Sequence, residues 1–302
     1  MADKVSSVNE TGIPEGLRSG SPALFRRTIA LELKRWRQEA GLGQKEAAAR
    51  IGRTTQHISN LESDRLPGAA DLELLVNFYG KADRVPFMLE LLSAARKAKN
   101  WWTALSGAVP KWFDLFLGLE SGAAELATFH AVLVHGLLQT PDYARAVLRG
   151  NPDLTEEEIE KAVDLRIGRQ QILDREPDPL RLWMVLDESV LRRPYGGASV
   201  MRGQLQHLLD MSERPGIDVQ VLPYEAGPTT AQEGGSFTVM KFPAAMEGDP
   251  GLVYLELLTG GKYVEKPEEI APYERAMTRL QALAANQKAS RAIIRAAMKE
   301  VK

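Results

Sequence analysis

Residues 41–62 read Gly-Leu-Gly-Gln-Lys-Glu-Ala-Ala-Ala-Arg-Ile-Gly-Arg-Thr-Thr-Gln-His-Ile-Ser-Asn-Leu-Glu, two short helical stretches parted by a glycine. Neither stretch can persist alone, because an isolated helix repays its nucleation cost only beyond about 12–15 residues. The pair must therefore pack on neighbouring helices, and the tract reads as a helix-turn-helix inside a small helical bundle. Gly52 can take the left-handed conformation that a tight inter-helix turn needs, and Ala48 leaves room for a close crossing. Ile51, Ile58 and Leu61 then point inward.

The outward residues have a chemistry of their own. Thr54 is a good N-cap, which leaves Thr55, Gln56, Ser59 and Asn60 on the early, exposed part of the second helix. Gln and Asn amides can bond an adenine edge in bidentate fashion, and a Thr methyl can pack on a thymine methyl. Arg53 and His57 flank this face where phosphates would lie, and Gln44 opens the first helix, where free backbone N–H groups and a side-chain amide can meet a phosphate. The expected partner is double-stranded DNA in its major groove. Charge agrees locally: residues 26–66 carry nine Lys/Arg against five Asp/Glu, whereas residues 100–302 carry 22 against 28. A surplus of four is modest, so a homodimer that doubles the footprint is expected.

On these residues the stretch Leu33–Gly80 resembles the phage-repressor or Xre-type DNA-binding domain, with Leu33-Lys34-Arg35-Trp36-Arg37 on a first helix and Asp71 to Tyr79 on a following one. The resemblance implies an ion pair between Arg37 and Glu62, joining the first helix to the end of the recognition helix, and binding to palindromes with two half-sites. Where that family usually has Leu after the Gln, this chain has Ala47, so a larger neighbour such as Trp36 must fill the space.

At 302 residues, net charge −2 and no cysteine, the chain has length for two domains and no disulfide, zinc-finger or thiol chemistry, which suits a reducing cytoplasm. No apolar run approaches the ~20 residues of a membrane span, and the polar N-terminal residues lack a signal-peptide core. The expected organisation is a disordered arm over 1–24, a helix-turn-helix domain over 25–98 and an α+β regulatory and dimerisation domain over 99–302. In the last, a helical pattern runs on from Glu120. Thr140-Pro141 and the capping box Thr155 to Glu158 start helices, and strands are expected at 181–186, 218–222, 236–242 and 252–258, with a helix at 199–211 and helices again from Ile270. The fold class is thus α+β with a small, mostly antiparallel sheet.

Three features of this second domain invite chemistry. Trp101, Trp102 and Trp112 with Phe113 suggest a ligand cage, but core or interface packing is the better reading. Asp187-Glu188 at a strand end resembles a paired-carboxylate site, yet such an Asp is more often a cap, and no pair of His130, His135 and His207 has a metal-binding helical spacing. Gly260-Gly261-Lys262 reads as a hairpin turn, without the following Ser/Thr of a phosphate loop. No catalysis, cofactor or metal is expected. Gly136 to Ala146, with Gly196-Gly197, Gln204 to Leu209, Gln220 to Pro223 and Val253 to Glu256, is similar to the C-terminal domain of actinobacterial antitoxin-like, WhiJ-like regulators. That resemblance implies a small protein partner encoded by a neighbouring gene. The alternative is a sensor that binds a small metabolite and controls DNA binding.

Overall fold

A computed structural model describes residues 20–301 together with Pro14 and Leu17, apart from 64, 106–108, 110, 177, 230, 232 and 233. Most of the arm expected over 1–24 lies outside the described residues; the first helix begins inside it, at Pro22. The chain forms two compact units, one of residues 1–103, 118–122 and 243–249, the other of 104–117, 123–242 and 250–302.

The first unit is helical: α1 (Pro22–Glu39), α2 (Gln44–Arg50), α3 (Thr55–Leu61), α4 (Ala69–Phe78) and α5 (Val85–Lys97). Three of these helices stop by the same device. Gly41, Gly52 and Gly80, with φ of +68°, +64° and +76°, follow α1, α2 and α4. After α2, Gly52 N–H reaches Ala49 O and Arg53 N–H reaches Ala48 O, and the corresponding two bonds close the other two ends. Such paired bonds satisfy carbonyls that a helix end leaves open, and only glycine takes the required φ without strain. The core joins Trp36, Ala47, Ala48, Ile58, Leu61, Leu72 and Leu91, so the wide Trp36 and the small Ala47 lie in one cluster. Segment 243–249 belongs to this unit through α1, where Arg27 makes two 2.8 Å bonds to Asp249 and Arg35 reaches Glu247 at 2.7 Å.

The second unit is built on a six-stranded sheet of order β3-β2-β1-β4-β5-β6. Its strands are β1 (Glu125–His130), β2 (Arg181–Asp187), β3 (Ile217–Leu222), β4 (Phe237–Lys241), β5 (Leu252–Leu257) and β6 (Gly260–Val264). Three of its five pairings are antiparallel, β1 with β4, β4 with β5 and β5 with β6. The other two, β1 with β2 and β2 with β3, are parallel because helices connect them: α7 (Pro141–Leu148) and α8 (Glu156–Arg169) in the first connection, α9 (Ala198–Met211) in the second. Ala127, Phe129, Val239 and Val253 share one face and pack with Met277 and Leu280 of α10 (Pro267–Leu283); α11 (Gln287–Glu300) follows it. Thr128, His130, Thr238, Tyr254 and Glu256 share the opposite face by register. There Phe116 of α6 (Lys111–Gly122) lies 4.3 Å from the Tyr254 ring.

Two expectations are corrected. The helical pattern from Glu120 ends at Gly122, and 125–130 is a central strand, because six residues pair with β2 on one side and five with β4 on the other. The β5–β6 turn is Leu258-Thr259, and Gly260-Gly261 open β6 instead of forming the turn. A side chain at 261 would collide with the Tyr254 ring, so that glycine serves a close cross-strand approach.

Candidate nucleic-acid interface and interior pocket

The second helix of the helix-turn-helix, α3, is capped by Thr54, whose hydroxyl accepts from His57 N–H at 3.2 Å. Ile58 and Leu61 are buried; Arg53, Thr54, Thr55 and Gln56 are exposed, and His57, Ser59 and Asn60 are half-buried. Gln56 and Asn60 stand one turn apart, and the Gln56 amide donates to Asn60 Oδ1 at 2.9 Å. The two amides hold each other in place and can exchange that exposed bond for another at small cost, since an i, i+4 pair is worth about 0.2–0.5 kcal/mol. Arg53 leans towards Asp71 of α4 at 3.5 Å, and His57 is 3.8 Å from the same carboxylate.

The helix is anchored at its far end. Arg37 donates to both oxygens of Glu62, at 2.6 and 2.9 Å, and its third bond goes to Leu42 O at 2.7 Å. The two side chains are 9% and 4% exposed. Gln44 adds a bond to Glu62 Oε2 at 2.9 Å, so its amide faces the ion pair. Hydrogen bonding to Glu62 raises the Arg37 pKa further above its ordinary value.

In the second unit a cavity of about 310 Å³ opens at the carboxyl end of β1, where the parallel half of the sheet meets the antiparallel half. Ligands of open α/β sheets sit at such switch points. Its walls come from Phe113 and Phe116 of α6, His130 at the end of β1, His135 and Gln139 after it, Arg166 and Arg169 of α8, and Thr238, Tyr254 and Glu256 of the sheet. The strap 136–140 is tied down by glutamines: Gln170 donates to Gly136 O and Gln139 O, Gln204 donates to Leu138 O, and Thr140 N–H donates to Gln204 Oε1. At Gly136 a Cβ would sit 3.0 Å from Arg169 Nη1, so a side chain there would displace the guanidinium.

The residues weighed for chemistry divide clearly. His130 and His135 come together with ring centroids 5.0 Å apart. Burial, and then Arg169, push the His130 pKa down to about 4. Burial, then His130, Arg169 and Arg166, hold His135 well below the ordinary range. His207 lies apart on α9. Asp187 caps a single turn, accepting from Ser189 N–H at 3.0 Å, and Glu188 pairs with Arg192 at 2.8 Å and accepts from Tyr224 N–H, so both carboxylates have structural work. Trp102 is buried while Phe113 and Phe116 line the cavity, so the aromatic tract is part core and part pocket wall. Sequence reasoning misses Arg166 and Arg169, three apart on α8, because basic residues in a last turn look like ordinary partners of the helix dipole. Among the described residues no group of three or more His, Asp or Glu is arranged to hold a metal ion, and no helix is long and apolar enough to cross a membrane.

Comparison with known families matches residues 113–296 to a domain of unknown function (DUF5753), more than half of the chain. The chain belongs to this family. Residues 28–85 match a helix-turn-helix domain, so DUF5753 here follows an N-terminal helix-turn-helix. No curated protein and no solved structure matches the chain.

Proposed function

We propose that the chain is a dimeric, cytoplasmic, sequence-specific transcriptional regulator of the Xre type, whose first domain reads DNA and whose second domain controls it. The observation that carries the reading is the uncovered polar face of α3, presented by a helix that is capped at Thr54 and pinned at Glu62. Gln56 and Asn60 contact base edges with Thr55 and Ser59 beside them, while Arg53, His57 and the backbone N–H of Gln44 serve the phosphates.

The proposal separates residues that specify from residues that position. On an operator recovered by selection from random DNA, Gln56→Ala and Asn60→Ala each cost about 1–3 kcal/mol and change binding to random DNA little. Arg53→Ala weakens both and flattens the salt dependence by about one unit per site. Equal losses on operator and random DNA for the Gln56 and Asn60 variants would rule out base reading by α3.

Two readings of the second domain have support. The cavity at the end of β1, lined by buried polar groups, favours a sensor for a small metabolite. The fully exposed Leu258 and the exposed Leu257 at the β5–β6 tip favour a small protein partner of the kind the WhiJ-like resemblance implies. Native mass spectrometry of the purified chain distinguishes a co-purifying metabolite from a co-purifying protein. Sedimentation at micromolar concentration is expected to give a dimer held by residues 99–302; a monomer would remove the two-half-site arrangement.

A further inference from the structure

Arg166 is the most exacting group in the cavity. Its guanidinium makes one hydrogen bond, from Nη1 to Gln139 Oε1 at 2.9 Å, and has no carboxylate partner among the described residues. Burial, and then the neighbouring Arg169, pull its pKa down to about 10, with Glu256 and Tyr143 acting in the opposite direction. A recessed guanidinium with open N–H donors is costly unless an anion meets its fork. Gln139 aims that fork: it is buried, and its amide is itself fixed to Val134 O at 2.6 Å. A second open group lies nearby, since His130 Nε2 is sealed from solvent without a hydrogen-bond partner.

We propose that this cavity is the receptor site for a small monocarboxylic acid with a flat apolar body, its carboxylate on Arg166 and its body against Phe113, Phe116 and Tyr254. The inference rests on the sensor reading and names its ligand. The body is flat because the walls are: Phe113 and Phe116 stack at 4.9 Å and 18°, and Arg169 lies 5.3 Å from each of their centroids. A cavity of about 310 Å³ suits one or two rings. The charge is single because the imidazoles are neutral at pH 7 and the Arg166 and Arg169 guanidiniums, set against the Glu256 carboxylate, leave one net positive charge, which a monoanion offsets and a dianionic phosphate exceeds. His130, neutral, can donate its Nε2 proton to a carboxylate oxygen or accept from a ligand hydroxyl.

The test uses the full chain at pH 7.5 with benzoate, cinnamate and indole-3-acetate, their three amides, benzylamine and phenyl phosphate, read by calorimetry and ligand-observed NMR. At least one acid is expected to bind in the micromolar range and its amide at least tenfold more weakly. Arg166→Met is expected to lose at least tenfold in affinity for the acid with an unfolding temperature no lower than that of the wild type. Arg166→Lys, which keeps the charge and removes the fork, is expected to lose severalfold, and it decides the matter should Arg166→Met not fold. Amides or benzylamine binding as tightly as the acids would overturn the carboxylate and leave the sensor reading intact; phenyl phosphate binding as tightly would overturn the single charge. No binding by any compound would overturn the proposed ligand, and a metabolite co-purifying in native mass spectrometry would then decide the sensor reading on its own. Acids that bind through Arg166 without changing operator affinity would support the site and sink the sensor reading.

Discussion

Glu62→Gln is expected to cost the helix-turn-helix unit roughly 3–5 kcal/mol, because it strands a buried guanidinium. Arg37 spends two of its three bonds on Glu62, and Gln44 shares the same carboxylate, so a neutral amide at 62 sets donors against donors. In a domain of this size such a loss lowers the melting temperature by more than about 10 °C. Hydrogen exchange of the α1 and α3 amides in the full chain localises the effect. Replacing both partners, Arg37→Met with Glu62→Met, is expected to recover much of the stability, since two apolar side chains leave no charge unpaired. An unchanged melting temperature for Glu62→Gln would mean that the pair contributes nothing to holding α3.

Acid is expected to unfold the second unit before its carboxylates titrate. The folded pKa of His130 is about 4 and its unfolded value about 6.5, so between these the unfolded chain binds more protons and stability falls as pH falls. The loss begins near pH 6.5 and levels off near pH 4. Over pH 6.5 to 5 it amounts to about 2 kcal/mol for His130 alone. His135 and the half-buried His207 are shifted the same way, so the total is larger. Arg169 faces both pocket imidazoles, and protonation there adds positive charge beside it. Denaturant titrations of the wild type and of His130→Gln at pH 7, 6.5, 6, 5.5 and 5 measure the slope. A variant that keeps the whole slope would locate the acid sensitivity elsewhere.

The helix-turn-helix is legible in the sequence because its signals are local. Thr54 caps a helix with its own side chain, Gly52 turns the chain through its own φ, and Ile58 and Leu61 fall on one face of α3 by the helical period, opposite the small Ala48 of α2. Thr140-Pro141 and the Thr155 to Glu158 box are legible for the same reason, and both caps are formed. The strand β1 is not. Glu125-Leu126-Ala127-Thr128-Phe129-His130 continues a helix-compatible tract, and it is a strand because β2 and β4 flank it, a preference that comes from neighbours more than from the backbone. Without β1 the α7–α8 crossover is hidden too, and with it the parallel half of the sheet.

By itself, then, the sequence determined the N-terminal motif, the caps that start its helices, the polar face of α3 and the α+β class of the second domain. Tertiary structure alone decided the pocket. His130, Arg166, Thr238 and Tyr254 are far apart in the chain, and nothing in the spacing of any pair foretells that they share a cavity. They meet because β1 lies at the centre of the sheet, with a crossover helix returning over one neighbour and an antiparallel strand on the other. A guanidinium that would be ordinary at a solvated helix end lines a cavity with two imidazoles only because that return brings α8 over the end of β1.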